Sequence, residues 1–154
     1  MEKNLKIIYK FCFLVLILVL LSCAVHTIPP KPSQSEYLDI DYRRFVSGVY
    51  VDELANKYVK LDCRFAYTMA GTLPGGYSYR RYMSFEAVSP IHRESAESLT
   101  VVVPKDVAVA DVVFTLRHGE NIKVYGRAVP VITRTVAGQI YKSLILQADL
   151  IQKQ

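Results

Sequence analysis

The 154-residue sequence predicts a mainly β fold, a small five-stranded barrel with one helix between its third and fourth strands. Three observations carry this: strict two-residue alternation over residues 59–69, four further β-rich runs separated by glycine or proline, and one segment, 105–117, that also fits a helix. A small β-sandwich is the alternative that the same elements allow.

The chain opens on Lys3, Lys6 and Lys10 against Glu2, continues through an apolar run over 11–21, and reaches Leu20-Leu21-Ser22-Cys23. A basic stretch, an apolar stretch and a small residue before a cleavage point is the layout of an export signal. The apolar run over 11–25 supplies 15 residues where a spanning helix needs about 20, which weighs against an uncleaved anchor. Secretory cleavage without lipid is a second alternative, and Leu20 suits it poorly because small residues are expected there.

Leu20-Leu21-Ser22-Cys23 resembles the lipobox of bacterial lipoproteins. The resemblance implies that residues 1–22 are removed as a signal peptide. Cys23 then becomes the first residue and carries a diacylglyceryl group, usually with a further acyl chain such as palmitate on its amino group. Two or more chains give stable attachment, at about 0.8 kcal/mol per buried methylene, where one is marginal. The expectation is an extracytoplasmic protein that is membrane-attached without spanning. Ala24, at the second position after cleavage, lacks the aspartate that resembles an inner-membrane retention signal in enterobacterial lipoproteins, which favours the outer membrane in a cell that has one.

Residues 23–36 hold three prolines and small polar residues without apolar periodicity, the composition of a flexible tether, and 37–154 form one domain. Over 37–51, Tyr42, Phe45, Val49 and Tyr50 are available for packing around Arg43-Arg44, with no element specified. A turn at Gly48 leads to a short helix through Asp52 and Ala55.

Val59, Leu61, Cys63, Phe65, Tyr67 and Met69 then alternate with polar or small residues as a long half-buried strand. GTLPGG interrupts it. A second strand over 79–88 buries Met83, Phe85 and Ala87, and a third over 99–103 is closed by Pro104. In 105–117, Val107, Ala110, Val113 and Phe114 share a helical face behind Asp106 as cap and before Gly119, although Val107, Val109, Asp111, Val113 and Thr115 also alternate. A fourth strand over 122–131 contains Gly126, which permits a bulge, and a fifth runs over 139–151.

Three strands, a helix and two strands is the order of an OB-fold barrel. YVKLDCRF, GENIKVYGRAV and SLILQADLI, with the spacing of Gly119 and Gly126, resemble bacterial secreted OB-fold proteins over about residues 50–152. In that fold ligands lie across the second and third strands, flanked by the loops joining the first to the second and the fourth to the fifth. The first of these loops presents Tyr77, Tyr79 and Tyr82 interleaved with Arg80 and Arg81, and Arg127 is a further candidate contact. Aromatics stack on bases or sugar rings while arginines meet phosphate or carboxylate. The same residues also suit plain packing and a solvated strand edge.

Removing residues 1–22 leaves 16 basic and 13 acidic residues, a net charge of +3 in 132 residues. That modest charge and the export signal argue against nucleic acid as a partner. They favour another envelope protein or a polysaccharide. No HExxH, paired cysteine, Gly-x-Ser-x-Gly or P-loop is present, so no enzyme activity, metal or cofactor is expected. Cys63 lies on the apolar face of its strand as a small hydrophobe, and His26, His92 and His118 are surface residues. The function expected is a lipid-anchored binding or scaffolding module, with binding of an anionic single-stranded polymer, glycan or nucleic acid, as the alternative.

Overall fold

The computed structural model describes residues 31–71, 73–91, 97–105, 108–134 and 138–154. The expected signal peptide, Cys23, Asp106 and His92 lie outside them.

Five strands close on themselves. β2 (Tyr58–Met69) pairs with β3 (Tyr82–Val88), β3 with β4 (Leu99–Pro104), β4 in parallel with β6 (Ile140–Lys153), β6 with β5 (Asn121–Arg134), and β5 again with β2. Helix α3 (Ala108–Phe114) lies between β4 and β5, the third and fourth barrel strands. This is the OB-fold barrel, and the helical reading of its ambiguous segment holds. A short β1 (Leu38–Asp39) adds in parallel to β2 ahead of two small helices, α1 (Tyr42–Val46) and α2 (Val51–Leu54).

Alternation explains the interior. Val59, Leu61, Cys63 and Phe65 face inward with Phe85 and Ala87, Leu99, Val101 and Val103, Ile122 and Val124, and Leu146 and Ala148. The Phe65 and Phe85 rings meet at 5.4 Å. Val109, Ala110 and Val113 of α3 join this core, as do Tyr42, Phe45, Val51 and Leu54 from the N-terminal helices. Asp41 starts α1 by accepting from the Arg43 and Arg44 backbone N–H groups at 2.9 and 3.3 Å, which satisfies donors that a helix start leaves open.

Gly126 sits where β5 shifts register against β6. A Cβ there would overlap the Gln147 backbone carbonyl, so only glycine lets the two chains approach.

Residues 31–36 fall within the stretch whose composition suggests a tether, and they are seated on the barrel. Lys31 pairs with Asp149 at 2.8 Å, and Ser33 and Glu36 form a capping box around the 3-10 turn Gln34–Glu36. The Ser33 hydroxyl and backbone N–H hold the Glu36 carboxyl below its usual range. Tyr37 is buried, edge-on to Tyr58 at 5.6 Å and to Tyr125 at 5.5 Å, with its hydroxyl donating to Asp149 at 3.2 Å.

Candidate ligand-binding site

The loop joining β2 to β3 folds back over the outside of the barrel. Val102, Val131 and Ile145 alternate with core residues and should face solvent, yet they are buried as a second apolar cluster packed by Tyr77, Tyr82 and Val129. The 3-10 turn Pro74–Gly76 rests there, with Gly75 at φ 65° against Val131. Tyr77 stands edge-on to Tyr82 at 4.7 Å, and its hydroxyl donates to Gln147 Oε1 at 2.9 Å. The Arg127 guanidinium donates to the same oxygen at 3.1 Å. Burial raises the Tyr77 hydroxyl above its ordinary pKa, and the Arg127 charge opposes that rise. Tyr77 and Arg127 are thus brought together, and two of the three tyrosines of the expected aromatic rim, Tyr77 and Tyr82, are packing.

The cationic part of the loop is separate from this latch. Both Arg81 and Tyr82 backbone N–H groups donate to the Ser78 carbonyl at 3.0 Å, a turn that delays β3 until Tyr82 instead of residue 79. The turn leaves Arg80 and Arg81 exposed beside a groove of about 390 Å³ that Tyr82 and Lys105 complete. Lys105 is held in place by its ammonium on the Tyr79 carbonyl at 2.6 Å and its backbone N–H on the Arg81 carbonyl at 2.8 Å. None of these three cations has a carboxylate partner among the described residues. Tyr79 is 40% exposed at the same corner.

Lys105 was not among the candidates read from sequence. The signal was available, because antiparallel pairing of Tyr82 with Pro104 places Arg81 opposite Lys105. Arg64 lies elsewhere, with its Nε on the Ser89 carbonyl at 3.1 Å.

A second concavity, about 330 Å³, is lined by Asp39, Asp41 and Asp62 with Tyr42 and Arg43. Its carboxylates are engaged: Asp41 caps α1, Asp39 pairs with Lys60 at 3.4 Å, and Asp62 pairs with Lys123 at 3.4 Å. His118 sets its Nδ1 2.8 Å from the Ala66 carbonyl beside the β2 bulge. No group of three His, Cys, Asp or Glu suited to a metal occurs among the described residues.

No protein-family model and no curated protein matches the chain. Solved structures do. A mitochondrial single-stranded DNA-binding protein from S. cerevisiae is 15% identical, with 64% of this chain and 94% of that one covered and a TM-score of 0.46. A small single-stranded DNA-binding protein from Streptomyces coelicolor gives 15%, 64%, 94% and 0.47. An aspartyl tRNA synthetase from Entamoeba histolytica gives 9% identity and a TM-score of 0.51, over 81% of this chain and 23% of the synthetase. At such identities the likeness concerns the fold. It nevertheless corrects one expectation: charge and address set nucleic acid aside as a partner, and that exclusion does not stand when single-stranded DNA-binding proteins are among the similar structures.

Proposed function

We propose that this chain is a non-catalytic binding module, held extracytoplasmically at a membrane by lipid on Cys23, whose barrel binds an anionic single-stranded polymer. The observation that carries the reading is the convergence of Arg80, Arg81 and Lys105 on one groove without a described carboxylate to neutralise them. Exposed cations with no local counter-charge attract phosphate or carboxylate and release its counterions. Tyr79 beside them offers a face for a base or sugar ring. The loop concerned is one of the two that flank ligands in this fold. Cys63 is fully buried and burial pushes its thiol pKa up, which suits the packing role read from its strand position better than a nucleophile's.

Retention of labelled oligonucleotides and of an acidic glycan at increasing salt tests the groove. Against a bound oligonucleotide, Arg80→Ala/Arg81→Ala/Lys105→Ala should flatten the log-affinity against log-salt slope by about 2. Wild type that retains neither polymer, or a triple variant that retains them equally, overturns the reading. For the anchor, Cys23→Ser should abolish metabolic lipid labelling and leave a larger precursor; unchanged labelling rejects it.

A second reading, a scaffold for another envelope protein, is favoured by the β5–β6 hairpin, where Ile132 and Ile140 are 73% and 62% exposed. Ile132→Ser/Ile140→Ser should then reduce crosslinking to a partner in the native envelope.

A further inference from the structure

The β5–β6 hairpin runs on beyond β2 with one edge of β5 open. β2 pairs with β5 only as far as Arg127, whereas β5 and β6 stay in register to Arg134 and Ile140. Ala128 ends the shared edge: its N–H donates to the Lys57 carbonyl at 2.9 Å, and its carbonyl accepts from the Asn56 N–H at 2.7 Å. Backbone groups alternate between the two sides of an antiparallel strand, so Pro130, Ile132 and Arg134 direct theirs as Ala128 does, away from β6. No backbone partner meets them there among the described residues. Pro130, which has no N–H, suits such an open side. Ile132 faces Lys142 across β6 and shares its side of the ribbon with Ile140, and both isoleucines are largely exposed. A two-stranded ribbon is marginal in water by itself, and an open apolar edge is a template for another strand.

We propose that this edge pairs antiparallel with the same edge of a second copy of the chain, about a two-fold axis at Ile132. The proposal rests on the hairpin being a docking surface, as in the scaffold reading above, and names its occupant. In this register each Ile132 N–H donates to the partner's Ile132 carbonyl, and each Arg134 N–H donates to the partner's Pro130 carbonyl. Pro130 has no N–H to return, which leaves only the Arg134 carbonyl of each copy to water. Isoleucine meets isoleucine at the axis with Ile140 flanking it on either side, so the ribbons join as a four-stranded sheet with a continuous apolar stripe. Arg134, the one charged residue from Pro130 to Arg134, falls opposite proline and meets no like charge. Other registers are worse. An axis at Val131 sets the partner's Arg134 on Ala128, whose backbone groups are already bonded. An axis at Thr133 sets Ile132 against arginine, and one at Arg134 sets arginine against arginine. The edge is shorter than a standard interface, so the dimer is weak in dilute solution and gains from confinement at a membrane. Two copies carry two cationic grooves, and a polymer long enough to span them is held more tightly than by either alone.

A photoreactive residue in place of Ile132, in the full chain in its native membrane, identifies the occupant by mass spectrometry of the adduct. A link from this chain to itself is expected. A link to another envelope protein alone overturns the second copy and keeps the scaffold reading, and no link at all overturns both. The axis is tested by oxidative crosslinking. Ile132→Cys sets two thiols on Cα atoms about 5.5 Å apart, within disulfide range, and should give a peptide joined to itself at 132. Lys142→Cys, one strand further out on either side, lies about 14 Å from its counterpart and should give about tenfold less. Equal yields would mean random collision and overturn the dimer. Ile132→Pro removes the axial N–H, which has no described partner within the chain, so it should leave the melting temperature unchanged and cut co-purification of two differently tagged copies about tenfold. Undiminished co-purification overturns the pairing. If Ile132→Pro does not fold, Ile132→Lys replaces it, with like charges across the axis and the same loss expected. None of these outcomes bears on the polymer reading, which is tested at Arg80, Arg81 and Lys105.

Discussion

The Tyr77 hydroxyl reaches Gln147 at 2.9 Å across 70 residues of sequence, fastening the loop after the first barrel strand to the last strand. This contact and the Tyr82 ring keep Val102, Val131 and Ile145 out of water on what would otherwise be an apolar outer surface. The same loop therefore covers one part of the barrel and offers cations at another, so its packing sets where Arg80 and Arg81 stand.

Tyr77→Phe should cost about 1 kcal/mol, the usual net value of one hydrogen bond, because Gln147 keeps its bond from Arg127. Tyr77→Ala, which also uncovers the apolar patch, should cost about 3 kcal/mol and expose the loop to proteolysis. The raised hydroxyl pKa fixes the pH dependence. The neutral hydroxyl's contribution is complete below the unfolded tyrosine pKa of about 10 and is lost as pH rises through the folded value. Urea midpoints at neutral and alkaline pH check this. The wild type's advantage over Tyr77→Phe should shrink in alkali, and a constant difference would reject the assignment.

Gly126→Ala should destabilise the fold by about 3 kcal/mol, the upper range for overpacking, since its Cβ meets the main chain of β6 and not a side chain that can turn away. Gly119→Ala provides the contrast. At φ 80° with open space around it, it carries only backbone strain and should lose about 1 kcal/mol. Equal midpoints for the two variants would show that the β5–β6 bulge yields.

Much of the barrel is legible because alternation decides it. Val59 to Phe65 have one face, and the helix over Ala108–Phe114 follows from Ala110 and Val113 sharing another. The second strand starts later than its tyrosines suggest because Ser78 draws the chain into a turn, and side-chain composition does not encode that. Val102 defeats alternation outright: period two assigns it to solvent, and only a loop from elsewhere buries it. Asp41 as a helix cap was readable as a residue type, but a five-residue helix leaves too few apolar positions to show a period. The cationic groove was half legible, with Arg80 and Arg81 adjacent in sequence and Lys105 reached only through strand register. The burial of Ser84 and Glu86 on β3 was invisible, since sequence gives the side of the sheet and not what lies over it.

Tyr37→Ala should release the segment that runs from Lys31 to β1. It removes a ring that touches Tyr58 and Tyr125 and a hydroxyl on Asp149, and a buried aromatic truncation of this kind costs about 3 kcal/mol. Amide exchange of Ile40, whose N–H donates to the Lys60 carbonyl at 3.0 Å, should accelerate more than that of the β2 core. A uniform loss of protection would mean that the segment and barrel unfold together.

Cys63 supplies a test of the closed barrel itself. It sits between Leu61 and Phe65 with no exposure, in register with Ile122 of β5, so a reagent reaches its sulfur only when β2 parts from β5 or the core opens. Burial also raises the thiol pKa, with the Asp62 charge adding to the rise, which withholds the thiolate that alkylation requires. Both effects act in the same direction. Iodoacetamide mapped by mass spectrometry should leave Cys63 unmodified in the native protein at neutral pH and modify it fully in denaturant. Because the raised pKa belongs to the folded state, raising the pH toward 9 should speed labelling of the unfolded chain while leaving the native protein protected. Native labelling at the unfolded rate would mean that the β2–β5 seam or the core opens.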